Sequence, residues 1–190
     1  MRPLVSMAVF VFAAGSAGSA GAQQEVAQPN PSVVSKDSLY LHAQRLVNEG
    51  KGAEGRGIVD SLFREAAPGT LAQAEALFWR ASLATTSAEA ERDYRQITVE
   101  HPLSRRAEDA LLRLAQLELQ RGERTLALAH LERLLREHGR GPARARGAYW
   151  AARVHFEMND VARGCLSLSD ARASLPSGDV ELRNQIEYAG

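Results

Sequence analysis

The sequence predicts an all-α fold made of about four consecutive helix-turn-helix units, and three observations support this prediction. Beyond Ser35 the chain shows no alternating strand pattern and is rich in Ala, Leu, Glu and Arg, which lose little free energy on entering a helix. Prolines recur with separations of 34, 40 and 34 residues, at Pro68, Pro102, Pro142 and Pro176. Turn-like positions lie midway between these prolines, at Gly50, Thr85 to Ser87, Gly122 and Asn159.

The first 22 residues have the features of a secretory signal peptide. Arg2 supplies a positive start, residues 4–14 are uncharged, and Ala20-Gly21-Ala22 is a small-x-small cleavage site. The apolar stretch is about eleven residues, well short of the roughly 20 that a membrane-spanning helix needs. We therefore expect export and cleavage after Ala22. Because the apolar stretch is short, we expect no transmembrane helix in the mature chain, and because no cysteine lies near the cleavage site, we expect no lipid anchor.

Residues 23–34 are predicted to form a flexible leader. Pro29 and Pro31 lie there among Gln, Asn and Ser, a composition that buries too little apolar surface to order itself. The full chain carries 23 basic and 23 acidic residues, and loss of the signal removes only Arg2, which leaves a formal charge near −1. A chain so close to neutral does not predict a nucleic acid partner.

The first unit, residues 35–68, should have the weakest second helix. Its glycines Gly52, Gly55 and Gly57 each cost about 1 kcal/mol relative to alanine inside a helix. In the second unit, Thr70 to Gln73 and Thr86 to Glu89 each match a capping box at a helix start.

The third unit, Glu108 to Gly141, has the clearest pattern. Its first helix carries apolar residues on one face at Leu111, Leu114 and Ala115. Gly122 can adopt positive φ and end that helix. The second helix repeats the apolar face at Ala127, Leu131, Leu134 and Leu135.

The fourth unit follows the same scheme and is succeeded by one more helix. Its first helix has Ala148, Ala151 and Ala152, its turn lies at Asn159-Asp160, and its second helix has Gly164, Leu168 and Ala171. Residues 177–190 are predicted to form a C-terminal capping helix. Its apolar stripe would consist of Val180, Leu182 and Ile186, packed on the fourth unit.

The period near 34 residues and the order of small and large apolar positions resemble the tetratricopeptide repeat (TPR) family. The resemblance covers roughly residues 36 to 176 and implies a right-handed superhelical solenoid of about four TPR-like repeats. Thr98 to Leu114 looks similar to an envelope subgroup. This subgroup includes the outer-membrane assembly lipoprotein of the BamD kind and the periplasmic cell-division coordinator associated with the Tol system. The chain lacks the lipid-bearing cysteine of the first and a coiled coil like that of the second, so neither partner set is carried over.

In TPR proteins the first helix of each repeat lines a concave surface that holds partners, and the resemblance places ten residues of this chain there. These residues are Tyr40, Gln44, Glu75, Trp79, Asp109, Leu112, Gln116, Tyr149, Arg153 and Phe156. The set contains Trp, Tyr and Arg, which are enriched in binding hot spots. The alternative interpretation is that Trp79 and Phe156 pack between neighbouring helices.

The sequence contains no recognisable catalytic or metal-binding pattern. The five histidines show no spacing typical of metal ligands. Cys165, the only cysteine, cannot form an intramolecular disulfide, and its place in an apolar helical pattern predicts a buried structural role. The basic stretch His138 to Arg146 lacks interleaved aromatic residues and is interpreted as a solvated loop between repeats.

We therefore expect a bacterial periplasmic or cell-envelope scaffold, soluble after signal cleavage, that binds a protein or peptide and acts in envelope assembly or cell division. No cofactor, metal or nucleic acid is expected. Two alternative functions remain compatible with the sequence. The chain could be the N-terminal binding module of a larger cell-wall-associated protein, or it could be an enzyme or small-ligand protein with an unrecognised site.

Overall fold

The computed structural model describes residues 35–190, and this range folds into nine α-helices without a β-strand. The helices are α1 (Lys36–Asn48), α2 (Gly52–Glu65), α3 (Leu71–Ser82), α4 (Ser87–Glu100), α5 (Arg105–Gln120), α6 (Arg124–Glu137), α7 (Arg144–Glu157), α8 (Val161–Ala173) and α9 (Val180–Tyr188). The predicted signal peptide, residues 1–22, and the predicted leader, residues 23–34, lie outside the described residues.

The helices pack as four consecutive pairs followed by one additional helix. Within each pair the first helix packs on the second, as in α1 with α2, and the second helix then packs on the first helix of the next pair. The last helix, α9, packs on α8. This arrangement confirms the predicted all-α solenoid of helix-turn-helix repeats with a C-terminal capping helix. Within residues 35–190, no helix is both long enough and apolar enough to cross a bilayer.

Three of the four predicted turns have the backbone conformation that their residues favour. Gly50, Gly122 and Asn159 have φ values of 83°, 79° and 59°. Each one follows the first helix of a pair, where a residue at positive φ ends the helix. The turn at residues 85–87 works differently, because the next helix begins there with a side-chain cap.

That cap is the capping box predicted at Thr86. The Thr86 hydroxyl oxygen accepts a hydrogen bond from the Glu89 amide at 3.2 Å, and the Glu89 carboxylate accepts one from the Thr86 amide at 3.3 Å. The box predicted at Thr70 is only half formed. Thr70 accepts from the Gln73 amide, but the Gln73 side-chain oxygen accepts from the Gly69 amide at 2.8 Å instead.

The helix α2 runs from Gly52 to Glu65, and one of its glycines has a packing reason. A Cβ atom on Gly55 would lie 2.5 Å from the Ala43 carbonyl oxygen and 2.8 Å from Val47 Cγ2. Glycine therefore allows α1 and α2 to approach closely, and their packing offsets its low helix propensity. Gly57 is different, because a Cβ atom there would meet nothing within 4 Å.

Two predictions about buried residues near the C-terminus are wrong. Cys165 is exposed, because α8 buries the face that carries Gly164, Leu168 and Ala171, and each step along a helix turns by about 100°. Val180 is also exposed, whereas Leu182 and Ile186 are buried as predicted. Val180 is the first residue of α9, beyond the contact that the other two make with the fourth repeat.

Candidate partner-binding groove

The first helices of three repeats share an open cleft of about 620 Å³. Gln44 of α1, Trp79 of α3 and Gln116 of α5 line it, together with residues of the connection between α3 and α4. A smaller concavity of about 340 Å³ is lined by residues of the same three helices and shares Trp79 and Arg106 with the cleft. We refer to the two concavities together as the concave groove.

Trp79 is held in place by contacts on α1 and α3. Its ring stacks on Tyr40, with 5.5 Å between ring centroids and an interplanar angle of 5°. Its indole nitrogen donates a hydrogen bond to the Glu75 carboxylate at 2.8 Å. The Phe78 ring meets it edge to face. The indole is therefore ordered before any partner arrives, which lowers the entropic cost of using it in binding.

Arg106 connects α5 to this aromatic group. Its Nε donates to Glu75 Oε2 at 2.6 Å, its Nη2 donates to the same carboxylate, and its Nη1 donates to Asp109 at 2.9 Å. The guanidinium group also lies over the Phe78 ring, 4.2 Å from the centroid. A bidentate arginine and carboxylate pair fixes geometry as well as charge, so α3 and α5 hold a defined spacing at the groove.

Burial and charge set the protonation of the groove's acidic groups. Burial acts to raise the pKa of Glu75, but the hydrogen bonds and charge of Arg106 outweigh it and leave that pKa below its usual value. Burial, together with the nearby charge of Glu75, raises the pKa of Tyr40 to about 12. At neutral pH Glu75 is therefore an anion that accepts from Trp79, and Tyr40 is a neutral stacking partner.

The wall of the 620 Å³ cleft on α5 is polar and carries a positive charge. The amides of Gln116 and Gln120 line the cleft from α5, opposite that of Gln44 on α1, and Arg113 donates to the Gln116 side-chain oxygen at 3.1 Å. Among the described residues, no acidic side chain lines this cleft. Arg113 is therefore available to a carboxylate of an incoming ligand, and the amides can donate to or accept from a peptide backbone.

Four of the ten residues predicted from the sequence line the concave groove: Gln44, Glu75, Trp79 and Gln116. Tyr40 is buried and stacks on Trp79, and Asp109 accepts a hydrogen bond from Arg106 beside the groove. Leu112 is placed elsewhere: it is only 7% exposed and belongs to the core shared by α5, α6 and α7. It has little surface to offer a partner.

The three predicted residues on α7 do not line the groove. Tyr149 is 8% exposed and packs in the core shared with α8 and α9. Phe156 is half-buried and covers Gly164 so closely that a Cβ atom there would clash with its ring. Arg153 is exposed, and its guanidinium lies 4.9 Å from the centroid of the Trp150 ring. The close contact of Phe156 with Gly164 agrees with the alternative interpretation of Phe156 as a packing residue.

Sequence reasoning missed Arg106, Arg113 and Phe78. One signal was available for Arg106, which is 31 residues from Glu75 and so nearly one repeat apart. Residues separated by one repeat occupy similar positions on neighbouring first helices, and opposite charges there can pair across the groove. Arg113 and Phe78 had no comparable signal. Among residues 35–190, no cluster of three or more His, Cys, Asp or Glu side chains is placed to hold a metal ion.

No protein-family model matches the chain, and no curated protein matches it by sequence. Solved structures do match. MamA has a TM-score of 0.57 at 13% identity, over 77% of this chain and 81% of that chain. A tetratricopeptide repeat protein from Parabacteroides merdae has a TM-score of 0.56 at 13% identity, over 80% of this chain and 57% of that chain.

A third match is a thermophilic TPR protein of Thermus thermophilus, with a TM-score of 0.54 at 17% identity, over 80% of each chain. Identities this low show a common fold and nothing finer. Residues 35–190 therefore have the fold of a tetratricopeptide-repeat solenoid.

Proposed function

We propose that this protein is a non-enzymatic interaction scaffold whose concave groove binds a peptide segment of another protein. The observation that carries the proposal is the fixed arrangement of Trp79, Glu75 and Arg106 beside an open cleft of about 620 Å³. An aromatic side chain that is already ordered can bury a large area at low entropic cost. The surrounding ion pair keeps that side chain in place during binding.

The lining of the groove favours an extended segment that carries at least one carboxylate. The three glutamines can satisfy backbone N–H and C=O groups that an extended peptide exposes, and Arg113 can hold an acidic side chain. Trp79 would then contact an apolar side chain of the same segment. This combination of one aromatic anchor and a few placed polar groups is typical of ligand sites.

Affinity measurements on variants test the groove. Once a pull-down has supplied the partner, Trp79→Ala should weaken its binding by about 2 kcal/mol or more, which is about thirtyfold. Arg113→Gln should weaken it by about tenfold, because it removes a charge-assisted hydrogen bond. Titration calorimetry measures both, and circular dichroism checks that each variant is folded.

A matched aromatic control is Tyr188→Ala, since Tyr188 lies on α9 and is 96% exposed. Arg133, on α6, is unsuitable as a neutral control because its Nη2 donates to the Thr98 carbonyl at 2.9 Å and links α6 to α4. Equal affinity for the Trp79, Arg113 and Tyr188 variants would rule out the groove as the binding site. Arg153→Ala tests whether α7 takes part in binding, and we expect it to weaken the binding of the partner only slightly.

We further propose that the scaffold works in the bacterial cell envelope, in assembly or in cell division. The support comes from the sequence: a signal-like segment before Gln23 and the similarity of Thr98 to Leu114 to envelope TPR proteins. Intact-mass measurement of the protein recovered from an expressing bacterium should give a chain beginning at Gln23. Recovery of a chain that still begins at Met1 would contradict export.

A further inference from the structure

The first repeat has a separate concavity that the concave groove does not include. It measures about 660 Å³ and is lined by residues of α1 and α2 alone. Its apolar lining consists of the partly exposed Leu39 and Ile58, with the buried Leu46 and Leu62 beneath them. We call this concavity the terminal trough. Leu39 and Leu46 are two helical turns apart, so the trough is long enough for about 10 Å of another helix.

The opposite end of the repeat array shows what kind of element closes such a face in this fold. There α9 packs on the fourth repeat and buries Leu182 and Ile186, four residues apart, in a core with Leu168 and Ala171. Within residues 35–190, no helix other than α2 packs against α1 to a comparable extent, and the trough has no such cover. A short helix with apolar residues at i and i+4 would close the trough in the same way.

Gly57 leaves the surface of α2 open in the trough. It lies in the interior of α2 and lines the trough, and a Cβ atom there would meet nothing within 4 Å. Gly55 is required by the approach of α1, but no contact within the described residues requires Gly57. A glycine in a helix interior weakens the helix, and a missing side chain on a surface lets another backbone come near. An occupant of the trough could therefore approach the α2 backbone closely at Gly57.

The charges around the trough select the chemistry of that occupant. Glu54 and Glu65 line it, with His42, and no arginine or lysine does. Neither glutamate forms a salt bridge with another described residue. An occupant with lysine or arginine beside its apolar stripe could form ion pairs with these two glutamates. Two troughs placed face to face would bring the glutamates together, which disfavours a second copy bound through the same surface.

From these observations we propose that the terminal trough binds an amphipathic helix of a partner protein. The helix has apolar residues at i and i+4, a small residue opposite Gly57, and basic residues on its flanks. This surface is distinct from the concave groove, so the protein presents two binding faces with different preferences: a polar, arginine-bearing groove and an apolar, glutamate-bearing trough.

A pair of synthetic peptides tests the proposal. The first is a helix of about 18 residues with leucines at i and i+4, one central alanine, and lysines on both flanks. The second is identical except that glutamates replace the lysines. Fluorescence anisotropy with the purified protein should show binding of the lysine peptide and at least about tenfold weaker binding of the glutamate peptide. Absence of binding by the lysine peptide at high micromolar concentration would overturn the proposal.

Gly57 gives the sharper test, because a small substitution there should affect stability and a large one should affect binding. Gly57→Ala should raise the denaturation midpoint of the free protein, since alanine is the better helix former and no atom obstructs its Cβ. Gly57→Leu should weaken the binding of the lysine peptide by about tenfold or more, because the leucine side chain fills the space above α2. The matched control is Ala162→Leu, which adds a similar side chain at an exposed position of α8.

Charge reversal provides an independent readout. Glu54→Lys combined with Glu65→Lys should reverse the order of the two peptides, whereas Glu132→Lys combined with Glu187→Lys, at exposed positions on α6 and α9, should leave it unchanged. If Gly57→Leu binds the lysine peptide as tightly as the parent does, or if both charge variants change the order equally, the trough is not the binding site. Unfolding of a variant is detected by circular dichroism before each titration.

Discussion

Replacing Leu131 by alanine should destabilise the protein by about 2 to 5 kcal/mol, because the substitution leaves a cavity in a close-packed core. Leu131 is completely buried, and its cluster joins α5, α6 and α7 through residues such as Leu111, Ala127 and Val154. The loss therefore affects the contacts between the third and fourth repeats. Chemical denaturation followed by circular dichroism at 222 nm measures it.

Leu126→Ala is the control for this substitution. Leu126 lies on the same helix but is 49% exposed, so its truncation should change the unfolding free energy far less. If the Leu131 and Leu126 variants had the same denaturation midpoint as the parent, the face of α6 that packs in the core would have been assigned wrongly.

Arg80→Ala should cost about 3 to 5 kcal/mol, because it leaves a buried carboxylate without its main partner. Asp93 has a side chain only 2% exposed and accepts hydrogen bonds from Arg80 Nε at 2.6 Å and from Nη2 at 2.9 Å. The same guanidinium lies over the Phe63 ring of α2, 3.8 Å from its centroid. Arg80 thus pairs α3 with α4 inside the second repeat and contacts the first repeat through Phe63.

A second variant separates lost pairing from lost packing. Replacing both partners by apolar residues, Arg80→Met with Asp93→Leu, should recover much of the stability, because no charge is then left buried. The comparison is made at one pH near neutrality, by denaturation midpoints. A double variant as unstable as Arg80→Ala alone would show that the guanidinium packing on Phe63, rather than the charge, accounts for the effect.

The fold was predictable because the ends of its helices are determined by residues close together in the sequence. Gly50, Gly122 and Asn159 take up positive φ, a conformation that few other residue types tolerate. The capping box at Thr86 likewise forms within one turn of chain. Apolar periodicity then identified the buried face of α6. These signals act over a few residues, so neighbouring repeats do not alter them.

The candidate groove was predictable only in part, because it depends on contacts between repeats. Glu75 and Trp79 could be placed on the first helix of the second repeat, but their pairing with Arg106 requires α5 to lie beside α3. On α7 the alanines of the packed face were identified correctly, since Ala148, Ala151 and Ala152 are buried. A small error in rotation sufficed to place Tyr149 at the concave surface, although it is buried in the core that α7 shares with α8 and α9.

Gly57 illustrates a different limit of sequence reasoning. In the sequence, Gly55 and Gly57 carry the same cost, and both predict a weak helix. The structure distinguishes them, because only Gly55 is in close contact with α1. No packing contact within the described residues explains Gly57. Its position could be interpreted only from the surface around it, which contains apolar residues and two glutamates.

Site-specific photo-crosslinking in an expressing bacterium tests most directly whether the protein is a scaffold that uses its concave groove. A photoreactive amino acid is placed at Gln116, which lines the cleft, and separately at Glu132, which is exposed on α6. We predict that illumination links a distinct partner polypeptide to the Gln116 position and not to the Glu132 position, and that Trp79→Ala abolishes the link. A partner captured equally from both positions, or no partner at Gln116, would contradict the central claim.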